Sequence, residues 1–253
     1  MGEMWRRKLN SYKGMQEGCA PGTQEKLIEL ILRNATTRSG VLDLGARHGA
    51  LLARLRDQGF TDLCGVDLEP DTFKLEGVPF HRLDLNSDFA GALRRKFNLI
   101  VSTDVIEHLD SPRHLLQQAH KLLADGGYVA ISLPNIACWK GRIQFALKGE
   151  HWGFGEVHYR GQRHISPMTR DSMRLTMQEV GFRVVEDATA GDFAGPMQRV
   201  VTAPARALLR VAAGPRVLGD SSVYVAVRAD PDPQLRSPSD YESWRRAGPV
   251  PPT

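Results

Sequence analysis

The chain has 253 residues, 42% of them hydrophobic, and a formal net charge of +4, enough for one large α/β domain with appendages. Its arginines are scattered, which argues against nucleic acid as a partner, and Cys19, Cys64 and Cys138 offer neither a zinc motif nor a disulfide framework. The N-terminus lacks the apolar core of a signal peptide, and no run reaches about eighteen apolar residues, so the expectation is a cytoplasmic protein with reduced thiols and no membrane span.

Residues 1–37 read as an N-terminal cap: a polar start with Trp5 and Tyr12, then helical spacing over 24–34 carried by Leu27, Ile28, Leu30 and Ile31. From residue 38 the chain alternates. Strand-like runs near 40–45, 62–67, 78–84, 97–103 and 127–133 are separated by helical patterns near 49–58, 88–96 and 112–124. That alternation predicts a parallel sheet with helices on both faces. Asp110-Ser111-Pro112 marks a helix start, and Gly126-Gly127 its stop. Residues 134–167 break the pattern with Trp139, Phe145, Trp152, Phe154 and Tyr159 among His151, His158 and His164. A long aromatic connection after the fifth strand is placed to be a substrate lid. A helix over 169–180 and strands over 182–187 and 223–228 complete a domain spanning 38–230. Within it, the insertion 190–221 holds an amphipathic, arginine-studded stretch at 196–218. It is read first as a helix covering the sheet edge or a dimer contact, and second as a contact for a membrane surface or an acidic substrate. Residues 231–253 form a proline-rich tail with Tyr241 and Trp244 as docking points.

The most informative stretch is Val41-Leu42-Asp43-Leu44-Gly45-Ala46-Arg47-His48-Gly49-Ala50. An apolar run with an acid near its end, a glycine-bearing turn and a helical pattern form the place where an α/β sheet holds a nucleotide-like ligand. Asp67 closes the second strand-like run and Asp84 the third. Carboxylates at successive strand ends suit an adenosine, with Asp67 placed to accept both ribose hydroxyls. Asp104, Glu107 and His108 follow the fourth run at spacing i, i+3, i+4, on one face of a helical turn. His108 there is a candidate general base, or Glu107 and His108 shape the pocket floor. His164 precedes the helix start Ser166-Pro167-Met168-Thr169, which aims it toward the sheet edge.

The ordered series Asp43 to Gly49, Asp67, Asp84-Leu85, Val105-Ile106-Glu107-His108-Leu109, the turn at 122–127, Leu133-Pro134-Asn135 and Gly181-Phe182 resembles the motifs of class I S-adenosylmethionine-dependent methyltransferases. The subgroup it is most similar to holds ubiquinone-biosynthesis and glycan or natural-product O-methyltransferases. The resemblance covers about 38–230. It implies an α/β, Rossmann-like sheet of seven strands, mostly parallel with the last reversed, helices on both faces, and a lid. It implies S-adenosylmethionine held by Asp43, Gly45, Ala46, Gly49, Asp67, Leu68, Asp84, Leu85 and Thr103. His108, His164 and Glu107 become the catalytic candidates, and Asp104, Glu107 and His108 candidate ligands of a divalent metal that lowers the pKa of a substrate hydroxyl. The implied activity is O-methylation of a small-molecule hydroxyl, glycan-linked or of a secondary metabolite. The alternatives are N- or C-methylation, or a non-catalytic cofactor-binding partner subunit. Expected partners are the methyl acceptor and a second copy in a homodimer. One departure stands out: Arg47 occupies a position where the family usually has glycine. Arginine fits there if its backbone stays in an allowed region and its side chain turns outward.

Overall fold

The computed structural model describes residues 10–232 and Leu235. The expectations for residues 1–9 and for the tail beyond, Tyr241 and Trp244 included, lie outside the described residues. The described chain opens with a hairpin of two short strands, β1 (Ser11–Tyr12) and β2 (Met15–Gln16), then α1 (Thr23–Asn34). The order continues β3 (Ser39–Leu44), α2 (Ala50–Asp57), β4 (Thr61–Asp67), β5 (Phe80–Arg82), α3 (Ala90–Leu93), β6 (Phe97–Thr103), α4 (Pro112–Leu122) and β7 (Leu123–Pro134). It ends with α5 (Trp139–Lys148), α6 (Glu156–Gln162), α7 (Arg170–Val180), β8 (Phe182–Ala190), α8 (Pro196–Ala213) and β9 (Ser221–Arg228).

Seven strands make one sheet in the order β5-β4-β3-β6-β7-β9-β8. Only the last strand in sequence, β9, runs antiparallel to its neighbours, β7 and β8. The seven-stranded sheet with a reversed final strand is therefore present as expected. The central strands read as near-continuous apolar runs because both faces are covered: Val41 and Leu42 of β3 are fully buried, one on each face. Leu42, Leu44 and Ile100 pack with Leu115, Leu116, Met173 and Met177 of α4 and α7. Val41, Leu99 and Val101 pack with Leu27, Leu30, Leu51 and Leu55 of α1 and α2. The chain leaves β3 toward β4 on one side and returns to β6 on the other. That reversal is the switch point where open α/β sheets bind ligands, at the C-terminal strand ends.

Several local expectations need correction. The helical pattern at 88–96 shrinks to one turn, because Arg94 adopts a left-handed backbone with φ 45° and stops it. Helix α4 is capped by Ser111, whose side chain accepts from His114 N–H, with Pro112 in its first turn. It ends at Leu122, before the predicted glycine stop. Leu123 already pairs with Phe97, so Gly126-Gly127 lies inside an irregular stretch of β7. Residues 134–167, the expected lid, carry two helices, α5 and α6. The β1–β2 hairpin had no sequence signal; it docks on α2 through Lys13 and Tyr12, both bonded to Asp57, and through Arg54, which pairs with Glu17.

Candidate functional site

The ends of β3, β4, β6 and β7 open into a cavity of 1370 Å³. A pocket for one small ligand is typically about 300–1,000 Å³, so this one has room for two molecules. At its sheet-side wall Gly45 has φ 85°, and a Cβ there would sit 2.2 Å from Val105 Cγ2. Only glycine lets the chain turn this tightly against Val105. Gly45 and Ala46 both donate backbone N–H groups to Val66 O, at 2.8 and 2.9 Å, which ties the loop to the end of β4. Gly49 serves a different end. It does not line the cavity; its missing Cβ admits Leu75 and Phe73, with Leu75 Cβ 2.8 Å from where a Cβ would be.

Asp67 stands at the end of β4. Its Oδ2 accepts from Arg47 N–H at 2.9 Å and its Oδ1 from Leu68 N–H at 2.7 Å. Oδ1 also accepts from Glu69 N–H at 3.3 Å, so the unused acceptor capacity lies on Oδ2, and a hydroxyl at Oδ1 would share it with that long bond. Asp84, Leu85 and half-exposed Leu68 continue this wall, and Asp43, Ala46 and Thr103 line the same space. Asp43 is 2% exposed. Burial, and then the charge of Asp67, push its carboxyl up to about 8. Thr103 Oγ1 is buried with no hydrogen-bond partner. The sequence-predicted cofactor residues, Gly49 excepted, thus line one cavity.

Arg47 does take a left-handed backbone, φ 47°. For a non-glycine residue that costs about 1 kcal/mol. Its peptide N–H goes to Asp67, and its guanidinium passes beside Gly18, with Nη1 2.7 Å from where a Cβ on that glycine would be. The side chain thus reaches the segment that follows the hairpin, at the cavity rim.

The candidate catalytic groups line the same cavity. Asp104 also has a strained backbone, φ 50°. Its N–H donates to Ser132 O and its Oδ1 accepts from Ser132 Oγ at 2.6 Å. Burial raises its carboxyl to about 6, although the Ser132 hydroxyl opposes the shift. Glu107 is 1% exposed, and neither carboxylate oxygen has a hydrogen-bond partner. Burial first, and the neighbouring Asp104 second, hold its carboxyl well above the usual range. His108 Nε2 lies 3.9 Å from Glu107 Oε1. Burial lowers the His108 pKa, so its ring is neutral near pH 7.

The lid supplies His164, whose ring meets that of His108 edge-on, centroids 4.7 Å apart. His164 Nδ1 is 2.7 Å from Gly153 O. A carbonyl only accepts, so Nδ1 carries the proton and Nε2 is the acceptor nitrogen. Glu107, His108 and His164 each present a ligand-type atom, all within 4.8 Å of one another. Asp104, expected in the metal set, is bound to Ser132 instead, and His164 takes its place in the cluster. The sequence motif placed Glu107 and His108, but the third member comes from across the lid.

Three cavity residues had no sequence signal. Glu17 and Gln24 come from the N-terminal cap, and Asp220 from the turn before β9. Asp220 is buried, bonded to Lys140 Nζ at 2.6 Å and Phe193 N–H at 2.8 Å. Glu17 Oε2, Gln24 Oε1 and Asp220 Oδ1 are buried acceptors without partners. Such groups are costly unless a ligand or water satisfies them. Nothing in their local sequence distinguishes them from ordinary loop residues; only the closed fold brings them together.

Known proteins bear on this architecture. A family described as a methyltransferase domain matches residues 20–187. A malonyl-acyl-carrier-protein O-methyltransferase from Geobacter sulfurreducens is 28% identical over 171 residues. The match covers 64% of this chain and spans 62% of that relative's length. An S-adenosylmethionine-dependent methyltransferase from Archaeoglobus fulgidus shares the fold, with a TM-score of 0.56 at 19% identity over 81% of this chain and 92% of the other. The cyclase SpnF shares it too, TM-score 0.53 at 13% identity over 81% and 82% of the two chains. The architecture therefore does not by itself name the chemistry. With the family model matching well over half of its length, the chain belongs to the methyltransferase-domain family and has the class I S-adenosylmethionine-dependent fold.

Proposed function

We propose that the protein binds S-adenosylmethionine and methylates a hydroxyl oxygen of a small molecule, glycan-linked or a secondary metabolite. The observation that carries this reading is the meeting of two sets of residues in one cavity. Asp67, Gly45 and Asp43 form a nucleoside-and-amine cradle, and a neutral His108 beside buried Glu107 lines the same space. The residues fit the cofactor: spare acceptor capacity on Asp67 Oδ2, an orphaned Thr103 hydroxyl and a buried Asp43 carboxyl that a cationic amine would satisfy. When bound, S-adenosylmethionine supplies a sulfonium-activated methyl group for in-line displacement.

The chain's own residues do the rest. Asp67 anchors the ribose hydroxyls and Gly45 admits the cofactor's amino-acid end. Asp84 and Leu85 flank the adenine. The lid and the hairpin enclose the acceptor and hold it at near-attack distance. Neutral His108 takes the hydroxyl proton as the oxygen attacks. An amine with a free lone pair needs less help from a base, and a relative named for O-methyl transfer supports oxygen. N- or C-methylation is the runner-up, because a histidine base also serves a carbon acid.

A second reading rests on the cluster of Glu107, His108 and His164. Two imidazoles and an orphaned carboxylate suit a divalent ion, with His164 oriented by its Nδ1–H bond to Gly153 O. Such an ion would acidify an acceptor hydroxyl as an alternative to base catalysis.

The test is calorimetric titration of the full chain with S-adenosylhomocysteine. Wild type binds, and Asp67→Ala weakens binding about 10- to 100-fold, through loss of two charge-assisted hydrogen bonds. Unchanged affinity in Asp67→Ala overturns the cofactor assignment. Binding without turnover across a panel of hydroxyl, amine and carbon-acid acceptors would favour the non-catalytic partner subunit.

A further inference from the structure

Helix α8 is turned inside out. Met197, Val200, Val201, Leu208 and Val211 fall on one face at helical spacing, and all are between 69% and 87% exposed. The side toward the body holds half-buried Thr202, Ala205, Arg206 and Leu209. Arg206 pairs with Asp192 at 3.0 Å, and its guanidinium lies 6.0 Å from the Trp139 ring. The helix therefore does not cover the sheet edge with its apolar side, as first expected; it presents that side to solvent.

Charge indicates what covers it. Helix α5 packs beside α8 and exposes Leu147. Together α5 and α8 carry six basic residues, Lys140, Arg142, Lys148, Arg199, Arg206 and Arg210, and no acid. A groove of 290 Å³ on α8 is lined by Arg199, Ala203, Arg206, Ala207, Arg210 and Leu218. Asp192 pairs with Arg199 and Arg206, which leaves the groove net positive. A two-fold dimer through the stripe would bring the flanking arginines of two copies toward one another, with no carboxylate on either helix to answer. An anionic surface with an apolar interior answers both features at once.

We propose that α8 docks the protein on the surface of an anionic phospholipid bilayer. The valine and leucine stripe enters the acyl boundary, and Arg199 and Arg210, on the flank of α8 between the stripe and the body, reach back to lipid phosphates. Helix α5, which packs beside α8, runs on into the loop bearing Trp152 and Gly153 on the cavity wall.

The test is flotation of the full chain with vesicles of phosphatidylcholine plus phosphatidylglycerol, and with phosphatidylcholine alone. Wild type floats with the anionic vesicles. Binding is lost on phosphatidylcholine and falls at about 0.5 M sodium chloride, where screening is strong. The double variant Val201→Glu/Leu208→Glu reduces binding about tenfold or more, with S-adenosylhomocysteine affinity unchanged as the control for folding. No flotation on anionic vesicles, or equal flotation of wild type and the double variant, overturns the proposal. So does a wild-type dimer in sedimentation equilibrium that the double variant makes monomeric, which would make the face a self-association surface.

Discussion

Asp43→Asn isolates the cost of the buried acid at the heart of the glycine loop. In the folded chain this carboxyl keeps its proton up to about 8, against 3.8 when unperturbed. Between those values the folded state binds more protons than the unfolded state, so stability falls as pH rises through the window. The slope from this one group is about 1.4 kcal/mol per pH unit. Across about four units it reaches a ceiling of about 6 kcal/mol, and water entering the large cavity reduces the expected effect to about 3 kcal/mol. Asparagine is nearly isosteric and carries no titratable proton. The assay is urea denaturation of the ligand-free protein, wild type and variant, at intervals from pH 4 to 9. Asp104 and Glu107 are raised in the same direction and impose falling slopes on both proteins, so the informative quantity is the difference between the curves. The asparagine variant should gain on wild type steadily up to pH 8 and then hold its advantage. Parallel curves at all pH values would refute the claim that Asp43 is held protonated by burial. A second readout is expected from ligand linkage. If a cofactor amine ionises Asp43, S-adenosylhomocysteine affinity in wild type rises with pH up to about 8, and the variant loses that dependence.

Gly45→Ala places a methyl 2.2 Å from Val105 Cγ2 at a φ of 85°. It should destabilise the fold by about 2–4 kcal/mol, read as a lower urea midpoint with unchanged m-value; a change below about 0.5 kcal/mol, the scatter for neutral sites, would contradict the close packing. His108→Gln should slow methyl transfer about 10²- to 10⁴-fold with cofactor affinity intact. Because burial lowers the His108 pKa, the acidic limb of the wild-type rate should fall below pH 6.5, the ordinary histidine value; a limb above it refutes a desolvated base. Calorimetric titration with manganese or zinc ions tests the Glu107–His108–His164 cluster: one equivalent bound by wild type and lost in His164→Ala supports it, and binding indifferent to His164→Ala sinks it.

The fold was largely legible because its signals are local. The apolar runs of β3, β4, β6 and β7, the Ser111-Pro112 helix start and the acids at strand ends each follow from a few adjacent residues. So do Asp67, Asp84 and the Glu107-His108 pair, which the sheet brings to one cavity. What escaped the sequence depends on distant partners. The hairpin rests on Arg54 and Asp57 of a later helix. Asp220 enters the site because Lys140 and the backbone of Phe193 hold it. Gly49 looks like a ligand glycine, yet its neighbours are Leu75 and Phe73, which no local pattern places there. The outward apolar face of α8 also misled, since periodicity gives the angle between faces but not which one meets the protein.

The carbonyl of Glu107 accepts two peptide hydrogens from the returning end of the lid, Ile165 N–H at 2.9 Å and Ser166 N–H at 3.0 Å. Under the proposed function, movement of that segment to admit an acceptor would pull on the peptide that joins Glu107 to His108. The segment and the proposed catalytic pair thus share one amide plane. Substitutions that loosen the 139–164 segment, far from any reacting atom, should therefore register as altered turnover as well as altered access.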